Sequence, residues 1–222
     1  MGTTTPSTEG LTTILLADDH AIVRMGFRLL LEAAGRYRVV GEAASGEEAC
    51  TLHFKLRPDV LVIDIAMPGM GGLEAINRIV ARDPRAHILV LSAHEDLSYP
   101  RRALQAGALG YLSKRGAPAE LIQAVNAVGK GASYIEPAIA QRLAVHGVTG
   151  REGPVDLLSE REFEVFLHLA AGKSVAQIAE LLSLSPRTIG THLYNVKQKL
   201  GAQNAAELTL IALRADLLSE GM

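Results

Sequence analysis

The chain has 222 residues, of which 48% are hydrophobic, a formal net charge of −2 and a single cysteine. The length suits two small domains, and the hydrophobic content excludes a disordered protein. One cysteine excludes an intramolecular disulfide framework and favours a cytoplasmic location, and no apolar stretch reaches the ~18 residues of a membrane span. The small net charge does not indicate a nucleic-acid partner, so local features must decide whether there is one.

The first part of the chain alternates short apolar runs with helix-period segments. Residues 1–12 are small and polar without a signal-peptide core, so we expect a disordered tail there. Short runs rich in Val, Ile and Leu are typical of strands buried on both faces. Over residues 13–131 the pattern predicts an α/β doubly wound, five-stranded parallel sheet. The predicted strands are 14–18, 37–43, 59–65, 87–92 and 110–113, and the predicted helices are 20–34, 46–56, 72–82, 98–106 and 118–129.

Polar side chains follow the predicted strands at the point where each strand ends, and the carboxyl ends of parallel strands meet at one edge. Crowded carboxylates favour a Mg²⁺ ion, and an aspartate can also accept a phosphoryl group. Strand-end aspartates can instead be helix caps, and a lysine there can be a surface charge. One shared binding site explains better than separate caps and a surface charge why all of these strand ends are polar. The residues concerned are Asp18, Asp19, Asp64, Ser92 and Lys114.

These motifs resemble the receiver domain of bacterial two-component response regulators. The matching segments are the Asp-Asp pair, DIAMPGMGG, LSAH and GYLSK. The resemblance implies a flavodoxin-like fold in which Asp64 is phosphorylated by a sensor histidine kinase. It implies Mg²⁺ held by Asp18, Asp19, Asp64 and the backbone of Ala66, with Ser92, Tyr111 and Lys114 as the phosphate and switch residues. Such a domain promotes only its own phosphotransfer and dephosphorylation, so we do not expect an enzyme.

The rest of the chain has a different pattern. Residues 132–156 predict a linker with one short helix, and residues 157–222 predict a small all-helical domain. Ser159 and Glu162 form a capping-box pattern at the start of its first helix. Only a short turn separates the second and third helices, which is helix-turn-helix spacing. The predicted helices are 159–171, 174–182, 186–200 and 204–217.

The third of these helices contains no carboxylate, which suits contact with DNA phosphates and base edges better than an ordinary solvated face. The segment is similar to the LuxR-type helix-turn-helix of the NarL/FixJ family, through residues such as Arg187-Thr188-Ile189 and Lys199-Leu200-Gly201. The resemblance implies that this helix enters the major groove of promoter DNA. Its predicted DNA-binding residues are Arg187, Thr188, Thr191, His192, Tyr194, Asn195, Lys197 and Lys199.

Two features of this region predict weak binding by the monomer and a homodimer on activation. Gly190 stands where relatives usually carry lysine, and residues 157–222 contain six Lys or Arg against seven Asp or Glu. Two other functions stay open. An aspartate-nucleophile phosphohydrolase would have an acid where Ala66 stands. A phosphorylation-independent DNA-binding protein would use its first domain only for dimerisation.

Overall fold

A computed structural model describes residues 10–93, 97–116, 118–149, 154–182, 184–215 and 217–218. The chain divides into two compact units, the first reaching Ile139 and the second starting at Ala140. Residues 1–9 of the expected tail and 150–153 of the expected linker lie outside the described residues. None of the described helices is both long and apolar enough to cross a membrane.

The first unit is built on a parallel sheet with the strand order β2-β1-β3-β4-β5-β6. This order confirms the predicted doubly wound α/β class, because the strands after β2 are added on the other side of β1, which places the topological switch point between β1 and β3. Val, Ile and Leu side chains of the central strands are almost completely buried, as the apolar runs predict. The strands are Thr12–Ala17 (β1), Tyr37–Ala43 (β2), Val60–Asp64 (β3), Ile88–Ser92 (β4), Gly110–Ser113 (β5) and Tyr134–Ile135 (β6).

The sixth strand corrects the predicted count of five. Strand β6 pairs in parallel with β5, with Gly110 opposite Tyr134 and Tyr111 opposite Ile135. These residues fall within the expected linker, because two residues are too few to show the alternation by which a strand is recognised. Strand β1 also begins at Thr12, within the expected tail.

Helices connect the strands and continue into the second unit. Gly35 (φ +73°) and Gly107 (φ +103°) follow two of them in the left-handed conformation that glycine allows, as their positions predict. Helix α4 ends one residue earlier than predicted. The helices are Ala21–Ala33 (α1), Gly46–Leu56 (α2), Gly72–Arg82 (α3), Ser98–Gln105 (α4), Pro118–Gly129 (α5) and Pro137–Thr149 (α6).

The second unit is helical, as predicted, and opens with a short 3₁₀ helix at Pro154–Leu157. Its core contains the fully buried side chains of Phe163, Phe166, Ile178 and Leu208. The predicted capping box of Ser159 and Glu162 is present. The last helix ends three residues earlier than predicted. The helices are Glu160–Ala170 (α7), Val175–Leu181 (α8), Pro186–Leu200 (α9) and Ala205–Arg214 (α10).

Candidate functional site

Two aspartates lie side by side at the carboxyl edge of the sheet. Strands β1 and β3 are hydrogen-bonded neighbours with Ala17 opposite Ile63, so the next residues, Asp18 and Asp64, are adjacent. Only 4% of Asp18 and 3% of Asp64 is exposed. A carboxylate buried to this degree needs a positive charge or hydrogen-bond donors nearby.

Lys114 supplies the positive charge. Its Nζ atom lies 2.6 Å from Oδ2 of Asp18 and 2.6 Å from Oδ2 of Asp64. The lysine follows the last residue of β5, and its backbone N–H donates a hydrogen bond to the carbonyl of Ser92 (2.8 Å). The end of β5 is thus tied to the end of β4, and the lysine side chain bridges the two aspartates.

Burial and charge act in opposite directions on this pair. Burial raises the pKa of Asp64 above its ordinary value, and the attraction of Lys114 only partly offsets this effect. Burial also lowers the pKa of Lys114, but the attraction of Asp64 and the hydrogen bonds to both aspartates outweigh it, so the net direction is upward. The lysine therefore stays charged, and Asp64 carries an electrostatic strain that a second cation would relieve.

The loop after Asp64 is held close to the aspartate. The backbone N–H of Ala66 donates to Oδ1 of Asp64 (3.3 Å), and Ala66 is exposed. A Cβ atom on Gly72 would lie 2.0 Å from the carbonyl oxygen of Asp64, which no side chain can tolerate. Gly69 has a φ of +70°. The glycines of this segment therefore shape the loop around Asp64.

Asp19 and His20 lie beside the two buried aspartates and offer further possible metal ligands. One ligand atom from each of Asp18, Asp19, His20 and Asp64 lies within 4.8 Å of the others, a spacing at which they could hold a metal ion. The buried Oδ1 atom of Asp19 makes no hydrogen bond of acceptable geometry, although Nδ1 of His20 lies 2.8 Å from it. An oxygen without a hydrogen bond beside further carboxylates fits a hard divalent cation such as Mg²⁺.

The site predicted from the sequence did not include two residues at this edge of the sheet. His20, directly after the aspartate pair, places Nδ1 2.8 Å from Oδ1 of Asp19. Arg24, one helical turn later, donates from Nη1 to the backbone carbonyl of Asp18 and from Nε to Glu42. Their spacing from Asp18 was the available signal, because the first turn of a helix that follows a strand lies beside the strand end.

The remaining predicted residues lie in the adjoining strands. Ser92 is the last residue of β4, opposite Ser113 of β5, and is completely buried. Tyr111 lies within β5, between β4 and β6, and is also completely buried. The structure thus brings Asp18, Asp19, Asp64 and Lys114 together directly and places the other two on the strands beside them.

The predicted DNA-binding residues divide into two groups by exposure. Arg187, Thr191 and Tyr194 are exposed along one side of α9, with 64% of Tyr194 accessible. Gly190 lies among them, with open space where a side chain would be. The others are partly buried, apart from Lys199, which is exposed but paired. Burial lowers the pKa of His192, and Thr188 donates its N–H to the capping hydroxyl of Ser185.

Both lysines at the end of α9 make intramolecular contacts. Nζ of Lys199 lies 2.6 Å from Oε2 of Glu162, and Nζ of Lys197 donates to the carbonyl of Gln203 (3.0 Å). These contacts join α9 to the start of α7 and to the turn before α10. Each lysine therefore has a structural role besides the DNA contact that was predicted for it.

Known proteins share both units. The sequence profile of the response regulator receiver domain matches residues 14–126, and that of bacterial regulatory proteins of the luxR family matches residues 156–212. Response regulator UvrY of Escherichia coli K12 is 40% identical over 206 residues, which cover 92% of this chain and 94% of UvrY. Response regulator GacA of Pseudomonas viridiflava is 39% identical over 203 residues, 90% of this chain and 95% of GacA.

Solved structures with similar sequences are also response regulators. RcsB from Salmonella enterica serovar Typhimurium, bound to the promoter rprA in the presence of the phosphomimetic BeF₃⁻, is 31% identical with a TM-score of 0.62. The match covers 90% of this chain and 98% of RcsB. A LuxR-family response regulator from Aurantimonas sp. SI85-9A1 is 42% identical with a TM-score of 0.60, over 62% of this chain and 99% of that protein. The chain belongs to the two-component response regulators that join a receiver domain to a LuxR-type DNA-binding domain.

Proposed function

We propose that Asp64 accepts a phosphoryl group from the phosphohistidine of a sensor kinase and that this modification switches binding to promoter DNA. The bridge from Lys114 to the buried carboxylates of Asp18 and Asp64 is the observation that carries the proposal. A carboxylate with a fixed ammonium and further carboxylates beside it is arranged to receive a phosphoryl group, whose negative charge needs both a lysine and a metal ion.

The transfer follows from the positions of these groups. A carboxylate oxygen of Asp64 attacks phosphorus in line, the phosphorus–nitrogen bond breaks, and the donor imidazole keeps the electron pair. Lys114 exchanges its contact with Asp64 for one with the phosphoryl oxygens. Ser92 donates its hydroxyl to the same oxygens, and the inward position of Tyr111 accompanies that contact.

A bound Mg²⁺ would neutralise charge that develops on the phosphoryl oxygens. The side chains of Asp18, Asp19 and Asp64 and the backbone carbonyl of Ala66 would hold it. The Oδ1 atom of Asp19, which makes no hydrogen bond of acceptable geometry, supports this assignment. Asp18 also contacts Lys114, so it orients the lysine as well as the ion.

For DNA, we infer that α9 enters the major groove and that Arg187, Thr191 and Tyr194 make its main contacts. They are exposed and share one side of a helix without carboxylates. The likeness to RcsB, which has been solved on promoter DNA, supports this role. The partly buried Thr188, His192 and Asn195 and the paired lysines contribute from the edges of that surface.

Residues 157–222 form the DNA-binding domain in this scheme, 13–131 the receiver domain and 132–156 the linker, apart from the strand β6.

A homodimer on DNA is the proposed active form. In α10, Leu208 and Ala212 are buried, whereas 51% of Leu210 and 45% of Leu213 remain exposed. Two exposed leucines three residues apart form a stripe on one side of a helix, which suits a second copy of the same helix. A dimer would also double the number of phosphate contacts that one near-neutral domain can make.

Intact mass of the full chain tests the first step. After incubation with a small phosphodonor and Mg²⁺, the wild-type protein gains one phosphoryl group and Asp64→Ala gains none. Asp59→Ala, an aspartate at the opposite end of β3, serves as the matched control and keeps the gain. A wild-type protein without the adduct would overturn the proposal and favour a phosphorylation-independent DNA-binding protein. Steady release of phosphate from a phosphomonoester would favour a phosphohydrolase.

A further inference from the structure

Glu136 forms two hydrogen bonds with strand β5 at the point where the chain leaves the sheet. Its backbone N–H donates to the carbonyl of Tyr111 (3.1 Å), and Oε2 of its side chain accepts the N–H of Ser113 (2.8 Å). Strand β6 ends at Ile135 and α6 begins at Pro137, so the backbone turns away from β5 at this residue. The carboxylate thus supplies the acceptor that a longer strand would have offered to the Ser113 amide.

Ser113 anchors the turn that holds Lys114. Its carbonyl accepts the N–H of Gly116 (3.0 Å), and its hydroxyl accepts the N–H of Arg115 (3.2 Å). Lys114 itself donates its N–H to the last carbonyl of β4 (2.8 Å). The end of β5 is therefore held from two sides, by β4 on one side and by Glu136 on the other.

The place of the Lys114 ammonium depends on how firmly this turn is held. The side chain is only 14% exposed, and Nζ bridges Asp18 and Asp64 at 2.6 Å from each. A shift of about 1 Å in a group that must meet a transferring phosphoryl group can slow the reaction by roughly a hundredfold. The hydrogen bond from the Ser113 amide to Glu136 can therefore affect the reaction although Glu136 does not touch the acceptor.

Glu136 lies outside the segment that the receiver profile matches. That match covers residues 14–126, whereas Glu136 belongs to the segment 132–156, which the sequence predicts as a linker. The contacts of the chain nevertheless place Glu136 in the first unit, which reaches Ile139. The linker thus contributes a side chain to the surroundings of the acceptor site.

We propose that Glu136 is a positioning residue for phosphoryl transfer, which fixes Lys114 beside Asp64 through the Ser113 amide. The inference rests on the proposed phosphorylation of Asp64 and adds to it a residue of the linker. Glu136→Gln keeps an acceptor oxygen and preserves the contact, whereas Glu136→Ala leaves the Ser113 amide without its acceptor.

The rate of phosphorylation of the full chain tests this role. Intact mass is followed over time with a small phosphodonor and saturating Mg²⁺. We expect Glu136→Ala to react about tenfold more slowly than the wild-type protein and Glu136→Gln to stay within about twofold of it. Ile79→Val, which removes a methyl group from a buried side chain of α3, is the control for general loosening and also stays within about twofold.

Three results of these rate measurements overturn the proposal. One is an alanine variant that reacts as fast as the wild-type protein. Another is a glutamine variant as slow as the alanine variant, because the acceptor oxygen would then be irrelevant. The third is an equal slowing by Ile79→Val, which would reduce the effect of Glu136 to stability.

A double-mutant cycle shows whether Glu136 acts through Lys114. In the Lys114→Met background, Glu136→Ala should slow phosphorylation by less than about twofold, because the group that it positions is gone. The same tenfold slowing in both backgrounds overturns the proposal. A wild-type protein that takes up no phosphoryl group defeats the proposed function and this inference together. A phosphorylated wild-type protein whose rate does not depend on Glu136 defeats this inference alone.

Discussion

The Nζ atom of Lys114 lies 2.6 Å from Oδ2 of Asp64, and only 14% of the lysine side chain and 3% of the aspartate side chain is exposed. The ammonium also reaches Asp18 at 2.6 Å. One buried positive charge thus serves two carboxylates that their strands bring together. Lys114 and Asp64 are placed to accept the negative charge of a phosphoryl group, because the lysine can move its contact from the carboxylate to that group.

Lys114→Met tests how far the lysine supports the fold. Two buried carboxylates lose their partner, so we expect the receiver domain to be destabilised by up to about 3–5 kcal/mol. Mg²⁺ restores more stability to this variant than to the wild-type protein, because the ion replaces the missing charge. Urea unfolding with and without Mg²⁺ measures both effects. Lys55→Met, which removes an exposed lysine of α2, should change neither; equal losses in both variants would contradict the proposed role.

Glu162 and Lys199 give the second unit a pH-dependent stability. Burial opposes the charged form of Glu162, but hydrogen bonds from Lys199 and from Ser159 outweigh it and lower the pKa of the carboxyl. The stabilisation is therefore present at neutral pH, above the ordinary pKa of a glutamate, and is lost as the pH falls through the lowered value.

Glu162→Gln should remove this contribution. We expect a loss of about 1.5–3 kcal/mol at pH 7 in the free energy of unfolding of the C-terminal unit, because a charged hydrogen bond is lost. The difference from the wild-type protein shrinks as the pH is lowered into the acidic range where Glu162 is protonated. Glu180→Gln, on the exposed side of α8, is the control. A difference that does not change with pH would contradict the assignment.

Gly190→Lys should strengthen DNA binding. A side chain at this position meets open space, and the residue lies among the exposed groups of α9. One additional phosphate contact steepens the dependence of log affinity on log salt by about 0.9 per bound domain. Gly190→Ala stabilises the helix by about 1 kcal/mol without adding charge, so its salt dependence stays at the wild-type value. Fluorescence anisotropy over a salt series measures this, and equal slopes in both variants would place position 190 away from the phosphates.

Glu136 should hold strand β6 to the sheet. Its side chain accepts the N–H of Ser113 (2.8 Å), and its own N–H donates to the carbonyl of Tyr111 (3.1 Å). Glu136→Ala leaves the Ser113 amide without its acceptor, at a cost of about 1 kcal/mol, so that amide exchanges about fivefold faster in NMR hydrogen-exchange experiments. Glu136→Gln keeps an acceptor oxygen and stays close to the wild-type rate. Unchanged exchange in the alanine variant would show that this hydrogen bond contributes nothing.

The sequence predicts the parts of the fold that depend on local patterns. The apolar runs locate β1 to β5, the glycines and capping residues locate the helix ends, and the polar strand ends locate Asp18, Asp64 and Lys114. Strand β6 could not be predicted, since its pairing depends on β5 and not on its own two residues. The contact of Lys199 could not be predicted either, because its partner Glu162 lies 37 residues earlier in the chain. The ring direction of His20 likewise depends on side-chain geometry that no spacing specifies.

The DNA affinity of the full chain with and without the phosphoryl group tests most directly whether Asp64 controls DNA binding. The probe is a duplex selected from a random DNA pool, and intact mass gives the phosphorylated fraction of each sample. We predict that a phosphodonor with Mg²⁺ tightens binding by the wild-type protein and leaves Asp64→Ala unchanged. Equal affinity of the phosphorylated and unphosphorylated wild-type protein would contradict the coupling between Asp64 and DNA binding.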